Sequence, residues 1–371
     1  MTNKEKSELQ KEVINAVAPG QSGRLILAPR IGKSKMIIDL IKRDKVKGDI
    51  LWVTPTTKLA DESIPAEFVK WKAKKYLKQL KTVTWKGLAK CEGHCGLIIL
   101  DEEQFMTVNN SRPIGLGHLT ADTIISMTGT ESKSKDKKEL YSKLKLDVLY
   151  RISINKAVDI GLLANYKIKV INIPMDKNNN IVVEYKDKAT KKPKSFTTSE
   201  QKQYEYLTRK LEKSSTKFGI MHRRRIIGNS PSKVGAAKYI INSLEGKKLI
   251  FAVDRNQAEE LCDYVYHGKT DDADLKKFIS GETNKIAMVN KGGTGYTYFN
   301  IDNLIITQVD SDTNGLTSQK IARTLLEQGD YEATIWILCL EETRDVIWLN
   351  STLESFDRSK VEYINFKDLE L

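Results

Sequence analysis

Short apolar runs recur along this chain at spacings that leave room for a helix between them. In the first half they are Arg24–Ala28, Ile50–Thr54, Leu97–Leu100 and Thr123–Met127, with the amphipathic stretch Ser34–Arg43 between the first two. Strands this short, alternating with helical stretches, pack as βαβ units in a parallel sheet covered by helices. The rhythm returns after Ser230. Val234–Leu244 and Asn256–Tyr264 read as helices, and Lys248–Val253, Ile286–Val289, Asn303–Thr307 and Thr334–Leu340 as strands. The fold class is therefore α/β, and 371 residues suffice for two such domains.

We read residues 1–165 as the first domain and 230–371 as the second. The segment 166–229 between them has a different texture. Tyr166–Pro174 and Ile181–Tyr185 read as a β-hairpin around the polar turn Asp176–Asn180. Lys186–Thr198 then reads as an exposed lysine-rich loop, followed by helices over Glu200–Glu212 and Thr216–Ile227.

Composition narrows the partners. Lys and Arg total 61 against 48 for Asp and Glu, a net charge of +13. Such a surplus favours polyanions, because cationic side chains release the counterions condensed on a phosphate backbone. With 40% hydrophobic and 29% charged residues the chain can fold without metal or disulfide staples. No apolar run approaches the ~18–20 residues of a membrane helix, so no membrane partner is expected. Met1–Lys11 lacks the apolar core of a signal peptide, and four irregularly spaced cysteines suit a reducing, cytosol-like compartment.

The strongest local signal is Leu27-Ala28-Pro29-Arg30-Ile31-Gly32-Lys33-Ser34, between a strand and a helix. Gly32 lets backbone N–H groups approach a phosphate, and the start of the helix favours negative charge there. Lys33 can reach β- and γ-phosphates, and the Ser34 hydroxyl can ligate Mg²⁺. The alternative is a plain helix start, since the glycine that opens the full loop pattern is replaced by Leu27. A second signal favours the loop: Leu97–Leu100 runs directly into Asp101-Glu102-Glu103-Gln104. A carboxylate at the C-terminal end of a parallel strand faces the ligand crevice. Asp101 would hold Mg²⁺ and Glu102 would accept a proton from an attacking water, the chemistry of nucleoside-triphosphate hydrolysis.

Taken in order, these segments resemble the motif series of superfamily 2 helicases and translocases, over nearly the whole chain. Gln10 stands where that family reads the adenine edge. Thr54-Pro55-Thr56-Thr57-Lys58-Leu59 resembles motif Ia and Thr84-Trp85 motif Ib. Asp101-Glu102-Glu103-Gln104 resembles motif II in its DExH/DExQ style, and Thr128-Gly129-Thr130 motif III. Lys248–Val253 with Arg255 resembles motif IV, and His267-Gly268 the short motif after it. Asn290–Gly295 resembles motif V and Gln319-Lys320-Ile321-Ala322-Arg323 motif VI. Ile154–Tyr166 is similar to the exit from the first domain in branch-migrating helicases, so the nearest likeness is to compact phage UvsW-type DNA helicases.

The resemblance implies two tandem RecA-like domains with ATP and Mg²⁺ in the cleft between them. It implies catalytic roles for Lys33, Glu102, Gln104, Gln319 and Arg323. Gln10, Arg30, Gly32, Lys33, Ser34, Asp101 and Gly295 would bind the nucleotide, with Ser34 and Asp101 on the metal. Thr54, Pro55, Lys58, Thr84, Trp85, Thr128, Thr130, Arg255, Gly292 and Gly293 would hold nucleic acid, chiefly by its backbone. The implied protein is an ATP-dependent DNA helicase or translocase acting on duplex or branched DNA in replication, recombination or repair. It would work as a monomer when free, in the cytoplasm of a bacterial or phage-infected cell.

Departures keep other readings open. Arg30 flanks the loop where the family has a small residue, Glu131 replaces a proline, and Leu326 stands where motif VI carries a second arginine. The alternatives are an RNA helicase of the same superfamily, a terminase-like packaging ATPase, and a nucleic-acid clamp that does not hydrolyse ATP. Cys91-Glu92-Gly93-His94-Cys95 falls short of a four-ligand zinc site and reads as a metal-free turn. The lysine runs Ser132–Lys145 and Lys186–Lys194 read as solvated faces or phosphate tracks, and His222-Arg223-Arg224-Arg225 as a helical basic cluster.

Overall fold

The computed structural model describes residues 3–129, 131, 134–187, 190–289, 300–309, 316–325 and 332–371, and only the backbone of Asn3, Leu316 and Arg323. The chain forms two compact units: Met1–Ala164 with Ser311–Leu326, and Asn165–Asp310 with Glu327–Leu371.

The first unit runs α1 (Asn3–Asn15), β1 (Gly23–Leu27), α2 (Lys33–Asp44), β2 (Ile50–Thr54), α3 (Ile64–Lys70), β3 (Leu80–Thr84) and α4 (Trp85–Leu88). It continues with β4 (Gly93–Asp101), α5 (Arg112–Gly115), β5 (Leu119–Thr128), α6 (Lys135–Lys143), β6 (Val148–Ile152) and α7 (Ile154–Asp159). Its six strands are parallel in the order β3-β2-β4-β5-β1-β6. The inner strands β1 and β2 are buried along their whole length, as apolar runs covered on both faces must be. Helix α2 turns Met36, Ile37, Leu40 and Ile41 inward and ends at Lys45 in the left-handed region. Beneath one side of the sheet lies a core of Leu51, Val53, Trp85, Ile98, Leu100 and Met106.

The second unit contains β7 (Asn165–Ile173), β8 (Ile181–Lys186), β9 (Pro193–Thr198), α8 (Glu200–Lys213), α9 (Lys217–Gly228) and α10 (Pro231–Ser243). Then come β10 (Lys248–Phe251), α11 (Arg255–Leu261), β11 (Val265–Tyr266), α12 (Ala273–Ser280), β12 (Lys285–Met288) and β13 (Asn303–Ile306). The chain next contributes α13 (Leu316–Thr324) to the first unit, before β14 (Glu332–Leu340), α14 (Arg344–Leu353) and β15 (Val361–Asn365) complete the second. Seven strands lie in the order β11-β12-β10-β13-β14-β7-β15, again all parallel.

This topology corrects the reading of segment 166–229. Tyr166–Pro174 is not half of a hairpin: β7 lies between β14 and β15 in the large sheet, where Tyr166, Ile168, Val170 and Ile171 are buried. The hairpin is instead formed by β8 with β9, so part of the expected loop at Lys186–Thr198 is a strand. The segment is integral to the second unit, which begins at Asn165. Among the described residues, no helix is long and apolar enough to cross a membrane.

Candidate nucleotide site

The loop from β1 to α2 has the backbone a phosphate cradle needs. Gly32, at the start of α2, has φ 92° and ψ 47°, and no side chain caps the first turn of the helix. A side chain at Gly32 would be strained and would meet Gln10, since an added Cβ lies 2.6 Å from Gln10 Nε2. Gln10 is buried against the loop and donates to the carbonyl of Ile31 at 2.6 Å. Arg30 holds φ 72°, uncommon for a residue with a Cβ, and burial lowers its pKa.

Strand β4 delivers its carboxylates to the same place. Lys33 Nζ lies 3.3 Å from Glu102 Oε1. Glu102 itself sits at φ 53°, ψ 61°, a left-handed residue that turns the chain sharply off the strand end. Burial, and then the charge of Glu102, push Asp101 up to about 6. Asp101 and Ser34 are hard oxygen donors of the kind Mg²⁺ prefers, beside the phosphate loop, so the residues present fit that ion.

Glu102 is gripped from two further sides. Gln104 Nε2 donates to Glu102 Oε2 at 3.0 Å and to Gln319 Oε1 at 3.1 Å. Gln319, on α13, donates through its own Nε2 to Glu102 Oε2 at 3.2 Å. Thr128 Oγ1, at the end of β5, donates to Gln104 Oε1 at 2.9 Å. Lys33, Glu102, Gln104, Thr128 and Gln319 thus form one connected set within the first unit. Burial of Gln104 and Gln319 makes these bonds matter, because a buried amide left unpaired is costly.

Beneath this set lies a buried ion pair that sequence reading missed. Glu103 is fully buried and accepts from Arg24 on β1, with Nη2 to Oε1 at 2.8 Å and Nε to both oxygens at 3.2 Å. The Ser126 hydroxyl also donates to Glu103, and the Arg24 guanidinium stacks 3.7 Å over the Tyr141 ring. Lys137, the inward-facing lysine of α6, donates to the Gln104 carbonyl and is pushed down to about 8 by burial. An arginine inside the apolar run Arg24–Ala28, together with a third consecutive acid after Asp101-Glu102, was the available signal.

The expected nucleic-acid residues divide. Thr54, Trp85 and Thr128 are buried. Trp85 packs in the core and donates its indole N–H to the Asp101 carbonyl at 3.0 Å, so no ring face is open for stacking. Thr128 is spent on Gln104. Thr84 caps α4 by accepting from Gly87 N at 3.2 Å. Pro55 is half-buried, while Lys58 and Arg255 are exposed, Arg255 at the start of α11. Thr130, Gly292, Gly293, Gly295 and Leu326, and the side chain of Arg323, lie outside the described residues. Cys91 and Cys95 are free thiols, and the His94 ring faces Thr120 and Asp122.

No family model matches the chain, and no curated protein does. Solved structures do. The Pyrococcus furiosus Hef helicase domain is similar at TM-score 0.51 and 12% identity, covering 94% of this chain and 97% of that one. S. cerevisiae Dbp5 bound to RNA and ADP BeF3 gives 0.57 at 10% identity, covering 97% and 90%. The ATP-dependent Type ISP restriction-modification enzyme LlaBIII bound to DNA gives 0.58 at 12% identity; 98% of this chain is covered but only 31% of that one. At these identities the likeness is one of fold. Two parallel sheets flanked by helices, following one another along the chain, give this protein the tandem RecA-like fold of superfamily 2 helicase domains.

Proposed function

We propose that the protein is an ATP-dependent DNA helicase or translocase acting on duplex or branched DNA, in replication, recombination or repair. The observation that carries the reading is the convergence on Glu102 of Lys33 from the phosphate loop, Gln104 from the turn after β4 and Gln319 from α13. Residues far apart in sequence meet there in the chemical combination that splitting a phosphoanhydride requires.

Lys33 binds the β- and γ-phosphates, and in doing so leaves Glu102 without its cationic partner. Glu102 then accepts the proton of the attacking water at a carboxylate oxygen. Gln104 and Gln319 fix the orientation of that carboxylate, each through an amide N–H. Ser34 and Asp101 would hold Mg²⁺, which when bound neutralises charge on the phosphate oxygens. Arg323 stabilises charge on the transferred phosphoryl group, and Gln10 and Arg30 line the entry to the loop. Lys58 and Arg255 grip the DNA backbone without reading bases.

Steady-state ATP hydrolysis tests this, measured without nucleic acid and with single-stranded DNA, forked DNA and matched RNA, with Lys33→Ala as control. Stimulation by DNA that vanishes in Lys33→Ala supports a DNA motor. Stronger stimulation by RNA replaces DNA with RNA as the substrate. Tight DNA binding with no hydrolysis under any condition overturns the motor and leaves a clamp.

A further inference from the structure

Among the described residues the two-stranded ribbon β8–β9 pairs with no other strand, yet it carries apolar side chains in water. Its register sets Val183 opposite Phe196 and Tyr185 opposite Lys194. Tyr185 and Phe196 are therefore diagonal neighbours on one face. Their ring centroids are 6.0 Å apart with planes at 66°, and the side chains remain 46% and 52% exposed. Such a pair helps hold a ribbon together, but that role does not call for a cationic rim.

The rim here is cationic. Lys191 and Lys192, in the turn beyond β8, are both exposed. The acid at this end, Asp187, is engaged by Lys194 at 2.7 Å and by the backbone of Thr190. Exposed aromatic faces flanked by lysines suit a polyanion whose units also offer flat apolar faces, and that chemistry is single-stranded nucleic acid. A duplex hides its base faces and would meet only the lysines.

We infer that the β8–β9 ribbon is a binding surface for single-stranded nucleic acid, on which bases stack against Tyr185 and Phe196 while Lys191 and Lys192 hold phosphates. This deepens the proposed motor function and rests on that reading for its biological use.

The test measures binding of a labelled single-stranded oligonucleotide of about 16 nucleotides, and of the duplex of the same sequence, to the full chain. Tyr185→Leu with Phe196→Leu keeps apolar bulk on the ribbon but removes the rings. It should weaken single-strand binding about 10-fold or more, and duplex binding by less than about 2-fold. Tyr185→Phe with Phe196→Tyr keeps both rings and should bind as wild type does. Changing Lys191 and Lys192 to Gln should flatten the salt dependence of single-strand binding by about 1.4 in log–log slope, at about 0.7 per phosphate contact. Unchanged single-strand affinity in the leucine pair, or equal loss for single strand and duplex, overturns the assignment. ATP hydrolysis by the wild-type protein is measured alongside. Its absence would sink the motor reading, while the oligonucleotide arm still decides the ribbon.

Discussion

Gln319 donates to Glu102 at 3.2 Å although 217 positions separate them in the chain. With Gln104 on the same carboxylate oxygen and Lys33 on the other, the side chain proposed as general base is held by three residues from three elements. Glu102→Gln should lower hydrolysis by about 10²–10⁴-fold while nucleotide binding persists. Gln319→Ala should lower kcat by about 10-fold with little change in KM, because it orients the carboxylate rather than the substrate. Comparing kcat and KM for both variants checks this. A Gln319→Ala effect confined to KM would show that Gln319 serves substrate binding instead.

The buried pair Arg24–Glu103 supports the turn carrying Glu102. Glu103→Ala leaves the buried Arg24 guanidinium with the looser carboxylate of Glu131 at 3.7 Å and should destabilise the first unit by about 3 kcal/mol. Arg24→Met combined with Glu103→Leu removes both charges and should recover most of that loss. Urea unfolding of the two variants measures the difference. If Glu103→Ala proves as stable as wild type, the pair contributes nothing.

Trp85 gives a cleaner separation of stability from binding. Because its indole is buried against the Asp101 carbonyl, Trp85→Ala should cost about 3–5 kcal/mol of stability. DNA affinity of the remaining folded protein should be unchanged. Thermal unfolding followed by oligonucleotide titration distinguishes the two. A stable Trp85→Ala protein with weakened binding would restore the stacking role.

Lys137 provides a pH signature. Burial lowers its folded pKa to about 8 from an ordinary 10.5. Between those values the unfolded chain holds a proton that the folded chain has released. Stability from this group therefore rises as pH increases from about 8 towards 10.5, by up to about 1.4 kcal/mol per unit. Lys137→Met should abolish this component, so that wild type gains on the variant as pH is raised. Parallel stability profiles of the two proteins would place Lys137 in an ordinary aqueous environment.

Strands β1, β2, β4 and β5 were legible in the sequence because each carries a buried apolar run, over most of β1 and β2 and the later part of β4 and β5. The missed strands β3, β6 and β15 are sheet edges, only partly buried and correspondingly polar, so no apolar run marks them. Strand β7 alternates polar and apolar residues near its start and resembles a hairpin arm locally. Its true neighbours come from the far end of the chain, a pairing no local pattern encodes. In the site, Lys33, Glu102, Gln104 and Gln319 could be read from motif order, since their chemistry is tied to sequence spacing. Lys137 and Tyr141 could not, because buried partners are chosen by three-dimensional packing. Trp85 and Thr128 turn into the interior, because neighbours along a motif need not face the same way.

The order in which the chain is made acquires a consequence from α13. The phosphate loop and the acid strand leave the ribosome early, but the helix bearing Gln319 follows nearly all of the second unit, whose sheet in turn awaits β14 and β15 around β7. A nascent or truncated chain therefore holds Lys33 and Glu102 without the residue that completes their arrangement. Synthesis itself delays that arrangement until the chain has passed through the second unit as far as β13, before β14 and β15 are made.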